Sequence, residues 1–356
     1  MAHIAYRLTP LPGAGFHLGR EGLDQEVSAE TFPSDSLFAA LVSTLLELEG
    51  PEAVQSFVDH PLRLSSVFPC AGDLLLFPMP RLRINLSQLD QPGATKVLKK
   101  LQYVSPQILT NLLSEQKMDQ WLPLSGNATS QGLLLQDGKV WITRGERAGL
   151  PSGWRNLDDE ALKTKRIWKA DRVPRVVVDR VTNSSQIYHV GRTTFAPGCG
   201  LWFLADLDEQ QEGWFMTLLQ HLGDRGLGGE RSAGYGAFTV EQVKAPTLPK
   251  SARTTRVMTL SRYNPTNDER KAGVLGERAS YDLVDVGGWL ASPDGPAQRR
   301  KRVRMIEVGS VLVQPEGVTI TGQIVDVRPE YQQDGGPEHP VYRSGIALTV
   351  DVTGGD

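Results

Sequence analysis

Residues 3–9 alternate apolar and polar positions closely enough to predict a first strand, closed by Pro10 and Pro12. A short Gly-rich stretch, Gly13-Ala-Gly-Phe-His-Leu-Gly19, follows and carries His17. Leu37, Phe38, Leu41, Val42, Leu45, Leu46 and Leu48 then recur at helical spacing behind Pro33-Ser34-Asp35-Ser36. That stripe predicts a helix with an N-cap Ser, with Asp35 as an early carboxylate favoured by the helix dipole, and with a Gly50-Pro51 stop. A second short helix opens at Pro51, and Gly72-Asp-Leu-Leu-Leu-Phe-Pro78 reads as a buried strand.

From residue 80 to about 165 the periodicity weakens. One helix is expected at Ser105–Leu113, with Ser as cap and Pro106 at its first position, and two short amphipathic strands near Leu133–Thr143. This region reads as an insertion decorating a first domain. Val173–Leu204 predicts a long hairpin, with Arg175-Val-Val-Val-Asp-Arg180 as one arm and Gly200-Leu-Trp-Phe-Leu204 as the returning one. The polar residues Val181–Phe195 between them would project from the sheet. Trp214, Phe215, Leu218, Leu219 and Leu222 then form a second helical stripe, and Tyr235–Val243 a last strand. Residues 1–244 thus run βαββαβ, the ferredoxin-like plan shared with RNA-recognition modules. A Pro-rich linker, Ala245–Pro249, leads to residues 250–356, where 252–262, 281–290, 301–313, 316–327 and 343–352 read as strands and long helices are lacking.

Between the second helix and the last strand lies Gly223–Phe238, in which six of sixteen residues are Gly. Such density means an irregular turn or a cradle that lets another backbone approach. It is neither a dinucleotide fingerprint nor a P-loop, because Arg231 stands where a third fingerprint Gly belongs and no Gly-Lys-Ser/Thr follows. Exposed amides beside Arg225 and Arg231 suit a phosphate backbone.

Composition localises that idea. Net charge is −3, so any nucleic-acid surface must be confined to patches. Lys163–Arg175 holds six basic residues against one acid, with Trp168 inside it, and Gln298–Arg304 forms a second cluster. The two cysteines, Cys70 and Cys199, have no metal spacing and suit a reducing compartment. No apolar run approaches the ~20 residues of a membrane span. A cytoplasmic protein without membrane contact is expected.

The six histidines are scattered, with no metal-ligand pair, and no nucleophile elbow is present. No metal or cofactor is expected. His17 can serve as general acid or base at a 2′-OH, or simply hydrogen-bond RNA or backbone. Asp35 can support phosphoryl transfer, or merely open a helix. His189, on a projecting hairpin, is better placed to touch bases than to cleave, since it lacks a dry pocket.

In combination these segments resemble the RAMP superfamily of CRISPR-associated RNA-binding proteins. They resemble most the subunit family that caps the 5′ handle of the guide RNA in the type III-A (Csm) effector complex. The likeness rests on Pro33–Leu41, on Val178-Asp-Arg180 with Tyr188, on Gly226–Gly236, and on a tail with Gly309-Ser-Val-Leu312 and His339–Gly345. Pro33 stands where the family commonly has His before its Ser-Asp pair. The resemblance implies two ferredoxin-like domains in tandem within an α+β chain. The first would cover 1–244, with an insertion at about 80–165, a thumb hairpin at about 178–200 and the Gly-rich loop at 223–236. The second, over 250–356, would be β-rich.

It further implies a non-catalytic subunit that grips the repeat-derived handle of the crRNA. Such a subunit joins the large polymerase-type (Cas ten) subunit to the backbone RAMP subunit and meets target RNA only indirectly. Its thumb would displace a nucleotide at the handle–spacer boundary. Expected RNA contacts are His17, Ser34 and Asp35 from the first loop and helix start. The hairpin would add Arg180, Tyr188, His189 and Arg192. The Gly-rich stretch would add Arg225, Gly226, Gly228, Gly229, Arg231, Ser232, Gly234 and Tyr235, with Gly228–Ser232 the centre. The rival is a RAMP endoribonuclease using His17; a weaker one is a backbone subunit cutting target RNA through Asp35.

Overall fold

The computed structural model describes residues 2–19, 26–87, 93–124, 130–179, 181, 184–292, 295–329 and 339–354. Strands from both ends of its first half meet in one antiparallel sheet. Phe238–Val243, Ala2–Pro10, Cys199–Leu207 and Phe68–Ala71 lie side by side in that order, with Leu74–Leu75 beyond. Register sets Tyr6 opposite Phe203, and their rings stack with centroids 5.5 Å apart. The expected helices form as Ser34–Glu49, Pro51–Asp59 and Glu209–Arg225. Gly50, at φ +85°, makes the break between the first two.

Cys199–Leu207 is buried almost throughout because both its faces are covered. Leu201, Phe203 and Leu207 pack on one side with Leu37, Leu41, Phe215 and Leu219 of the two long helices. Trp202 and Leu204 point the other way, into a second core. A strand covered on both faces needs an unbroken apolar run, which is what Gly200–Leu204 shows. The reading of that run as the hairpin's returning arm is therefore corrected. The hairpin pairs Trp168–Val178 with Ser185–Phe195, in register from Phe195 opposite Trp168 to Ser185 opposite Val178. Its second arm carries polar side chains because its outer part, Ser185–Ile187 with His189, faces solvent, which hid its strand character.

The second core also changes the role of the insertion. Phe77–Pro78, Tyr103–Val104, Val140–Thr143 and Gly132–Leu135 form a four-stranded sheet, and the expected helix forms over Pro106–Leu113. Val104, Ile108, Leu112 and Ile142 share one core with Trp202 and with Met258, Val311 and Val350 from the chain's last hundred residues. The amides of Thr353 and Gly354 donate to the carbonyl of Leu113 at 2.8 and 3.0 Å. The insertion is thus a shared floor for both halves and not a surface decoration.

The C-terminal part is β-rich, as expected. Arg256–Thr259 lies between Val311–Val313 and Thr349–Val352. Three two-stranded ribbons occur beside that sheet among the described residues, one of which, Ile324–Asp326 with Tyr342–Ser344, packs on the first long helix. Its described helix, Asn267–Lys271, has five residues and a capping box of Thr266 and Glu269.

A buried ionic cluster joins the halves. Asp35 is fully buried; its Oδ1 accepts from Arg262 Nη1 at 3.2 Å, and its Oδ2 lies 3.4 Å from Arg343 Nη1. Arg262 also reaches Glu307 at 3.2 Å, so two guanidiniums face two carboxylates. Ser34 is no N-cap: Pro33 holds that position without a side-chain hydrogen bond. Instead the Ser34 amide donates to Ser66 Oγ at 3.0 Å, and Ser34 Oγ accepts from the Arg262 amide at 2.9 Å. Both residues, expected at an RNA surface, are structural.

No helix among the described residues is long and apolar enough to cross a membrane. Burial pushes the thiols of Cys70 and Cys199 up to about 12. Neither should react with a thiol reagent at neutral pH until the protein unfolds, which mass spectrometry of alkylated native protein checks. Asp35→Asn keeps the volume but leaves buried guanidinium charge short of a partner. It should lower unfolding free energy in a urea titration by about 3–5 kcal/mol.

Candidate nucleic-acid interface

Three segments far apart in sequence meet at the base of the hairpin. The short chain around His17 runs between the hairpin and the Gly-rich loop and is hydrogen-bonded to both. On one side Phe16 and Thr193 exchange amide–carbonyl bonds at 2.8 Å, and His17 Nδ1 lies 2.8 Å from the Gly191 carbonyl. On the other, the Gly229 amide donates to the His17 carbonyl and the Gly236 amide to the Gly15 carbonyl, each at 2.9 Å. Gly229 sits against the His17 ring, for a Cβ there would lie 2.7 Å from Cδ2.

The Gly-rich loop is therefore a fitted turn first and a surface second. Gly226 ends the Glu209–Arg225 helix at φ +83° and is buried. Gly228, at φ +94°, leaves only 2.4 Å between a would-be Cβ and the His17 carbonyl oxygen. Part of the expected run of free amides is used within the protein, namely those of Leu227, Gly229, Ala233, Gly234, Tyr235 and Gly236. Arg231, Ser232 and Gly234 stand exposed on a 3₁₀ turn over Arg231–Ala233.

Two of the expected contacts belong elsewhere. Arg225 turns back to the Ser34–Glu49 helix, with Nη2 2.6 Å from Glu47 and Nη1 donating to the Ser43 carbonyl at 3.1 Å. A cation in the last helical turn was better used there, between two helices, than in the loop. Tyr235 is only 7% exposed, too little for a base to stack on it. Its ring instead carries the Arg175 guanidinium, 5.2 Å from the centroid. Trp168 likewise is buried, edge-on to Tyr103 at 5.5 Å, so the basic stretch lacks the exposed aromatic expected of it.

Arg192 and Tyr188 lie on the hairpin face that meets this junction. Arg192 forms a forked pair with Asp171 at 3.1 and 2.9 Å. Tyr188, half-buried, sits directly across from Arg175. His189 is exposed on the opposite face, while Arg180 lies outside the described residues. Arg175 is the residue missed as a site candidate. It appeared only as one charge in a run, whereas the fold places it between Tyr188 and Tyr235, with Nε buried and without a hydrogen-bond partner among the described residues. Beyond it, the distal arms bear exposed Val176, Val178 and Ile187. Among the described residues, no group of three or more His, Cys, Asp or Glu is placed to hold a metal ion.

Residues 252–352 match the family model of the CRISPR Csm4 C-terminal domain. The Csm4 protein of Mycobacterium tuberculosis is 28% identical over 335 residues, covering 92% of this chain and 91% of its own. That of Methanocaldococcus jannaschii is 22% identical, covering 92% and 89%. The chain is thus similar to Csm4 proteins over most of its length, and its C-terminal part matches their C-terminal domain. Its fold resembles a solved Csm3–Csm4 subcomplex of the type III-A interference complex, at TM-score 0.66 and 19% identity over 98% of this chain and 99% of that one. It also resembles a Csm1–Csm4 cassette solved with pppApA, at TM-score 0.55 and 19% identity over 98% and 97%.

Hydrogen bonds from Arg192 hold the Asp171 carboxyl below its ordinary value, against an opposing effect of burial. A carboxylate depressed on folding stabilises above its unfolded value, about 3.9, and that contribution is lost as pH falls through the folded one. The protection of the Val190–Thr193 amides, taken relative to their intrinsic base-catalysed exchange, should therefore fall below about pH 4 and stay constant from pH 5 to 8. Gly228→Ala meets both positive φ and a backbone clash, and should cost about 3 kcal/mol or more. Gly234→Ala, at φ +82° with open space around it, should cost about 1–2 kcal/mol; thermal melts of the two variants compare them.

Proposed function

We propose that this chain is a non-catalytic RNA-binding subunit that grips the 5′ repeat-derived handle of a guide RNA. The observation that carries the reading is the junction of the His17 loop, the Gly-rich loop and the hairpin base. It is rigidified by backbone bonds and presents Arg231, Ser232, Arg175 and Tyr188 around a projecting hairpin. Cations beside an aromatic on a rigid platform suit the phosphates and bases of a single strand. The exposed Val176, Val178 and Ile187 suit a thumb that wedges against a base and displaces one nucleotide. The strand order of the first sheet supports a ferredoxin-like first domain, and the RAMP reading extends that plan to the second.

The relatives solved with Csm3 and with Csm1 support a bridging role, between a backbone subunit and the large polymerase-type subunit, in the cytoplasm where the guide is held. Target RNA would be met only through the guide.

His17 supports binding better than cleavage. Its Nδ1 is turned to the Gly191 carbonyl and its ring is packed on Gly229, whereas acid–base cleavage needs an imidazole aimed at the reacting hydroxyl. Asp35, buried between two arginines, supports no role at a target RNA.

Guide occupancy of the reconstituted complex tests the proposal. Arg231→Glu with Tyr188→Ala should weaken guide binding at least tenfold, the loss of one stacked base alone being ~1–3 kcal/mol. Arg225→Ala should leave occupancy unchanged while loosening the helix pair. Full guide occupancy in the double variant would sink the binding reading. Metal-free cleavage of repeat RNA that disappears in His17→Ala would replace it with the endoribonuclease.

A further inference from the structure

A cleft of about 890 Å³ opens between the two halves, in the size range of enclosed ligand sites. It is lined from the first half by Gly19 and Glu30, from the insertion by Arg81 and Arg83, and from the C-terminal half by Tyr281 and Asp282. Gly19 is two residues on from His17, so the cleft begins where the hairpin-base junction ends.

We infer that this cleft receives a nucleotide of the bound RNA strand, base inward; the inference rests on the RNA-binding reading above and extends it. Its chemistry is graded. Arg83 is exposed and has no ion-pair partner among the described residues, while Arg81 is paired with Asp282 at 2.6 Å. Tyr281 is 37% exposed and offers a stacking face. Glu30 is half-buried, and one of its oxygens accepts from the Tyr103 hydroxyl at 3.3 Å. A carboxylate keeps further lone pairs after one such bond. It repels a phosphate but accepts from a base, and amino-bearing edges such as cytosine N4 suit it better than the two carbonyls of uracil. The phosphate therefore lies toward Arg83 and the base edge toward Glu30. The lining is mixed, with Phe68, Met79 and Leu82 among the charged side chains, and it is the series of Arg83, Tyr281 and Glu30 that favours a nucleotide over a protein loop.

Single-stranded RNA oligomers carrying the repeat-derived handle, with 4-thiouridine at one position at a time, test this with the full-length chain in its complex. One position should crosslink to the Tyr281 segment, and Tyr281→Ala and Arg83→Ala should each weaken binding about tenfold. Both side chains are exposed, so the melting temperature should not move. Glu30→Gln should reduce the preference for cytosine over uracil at the crosslinked position and spare overall affinity. If wild type binds but neither variant weakens it and no crosslink maps to the cleft, this inference falls while the junction reading stands. A crosslink from that segment to a neighbouring subunit overturns it equally. If wild type binds none of the oligomers, both readings fall.

Discussion

A charge-balanced cluster of two arginines and two acids, buried where the first long helix begins, holds the two halves in one molecule. Asp35 alone touches Arg262 and Arg343, which lie 227 and 308 residues further along the chain. Burying charge is costly, and it is tolerated here because each guanidinium has a carboxylate and the neighbouring hydroxyl of Ser34 takes up a backbone amide. Such a cluster adds little net stability over an apolar contact of the same size, but it is intolerant of misalignment. It sets the angle between the halves, and so the width of the cleft that Arg262 and Glu307 help to line.

The same economy of fit shapes the Gly-rich loop. Its glycines let it close on the His17 chain at distances no side chain would permit, and the hydrogen bonds so formed tie it to the base of the hairpin. What is left for a ligand is narrower than the glycine count suggests: an exposed turn at Arg231–Ala233, flanked by Arg175 on its tyrosine support. The site is rigid because its parts are bonded to one another, and it is accessible because few side chains crowd it.

Much of this was legible in the chain. The two helical stripes, the alternating first strand and Pro106 at a helix start each depend on neighbours two to four residues away, and each forms as read. The long hairpin was read in the right place but with the wrong second arm. A strand exposed over its outer part carries polar residues there, and one covered on both faces carries apolar ones. Composition alone therefore exchanged Ser185–Phe195 for Gly200–Leu204. The disorderly pattern of residues 80–165 had a related cause: its short strands each bury few residues, so no periodicity accumulates, yet together they form part of the larger core.

Local periodicity, turn chemistry and ordered motifs were enough to determine the long helices, the first strand and the likeness to Csm4 proteins. They could not determine where long polar side chains end. Arg225, Tyr235, Trp168, Ser34 and Asp35 all carried the signature of an RNA contact, and all five are engaged with the protein itself. Arg175, unremarkable in its basic run, is brought to the junction by strand register. A guanidinium or a phenol reaches several ångströms from its backbone, and whether it meets a partner helix, a ring or solvent depends on segments hundreds of residues away. Only the tertiary structure decides that.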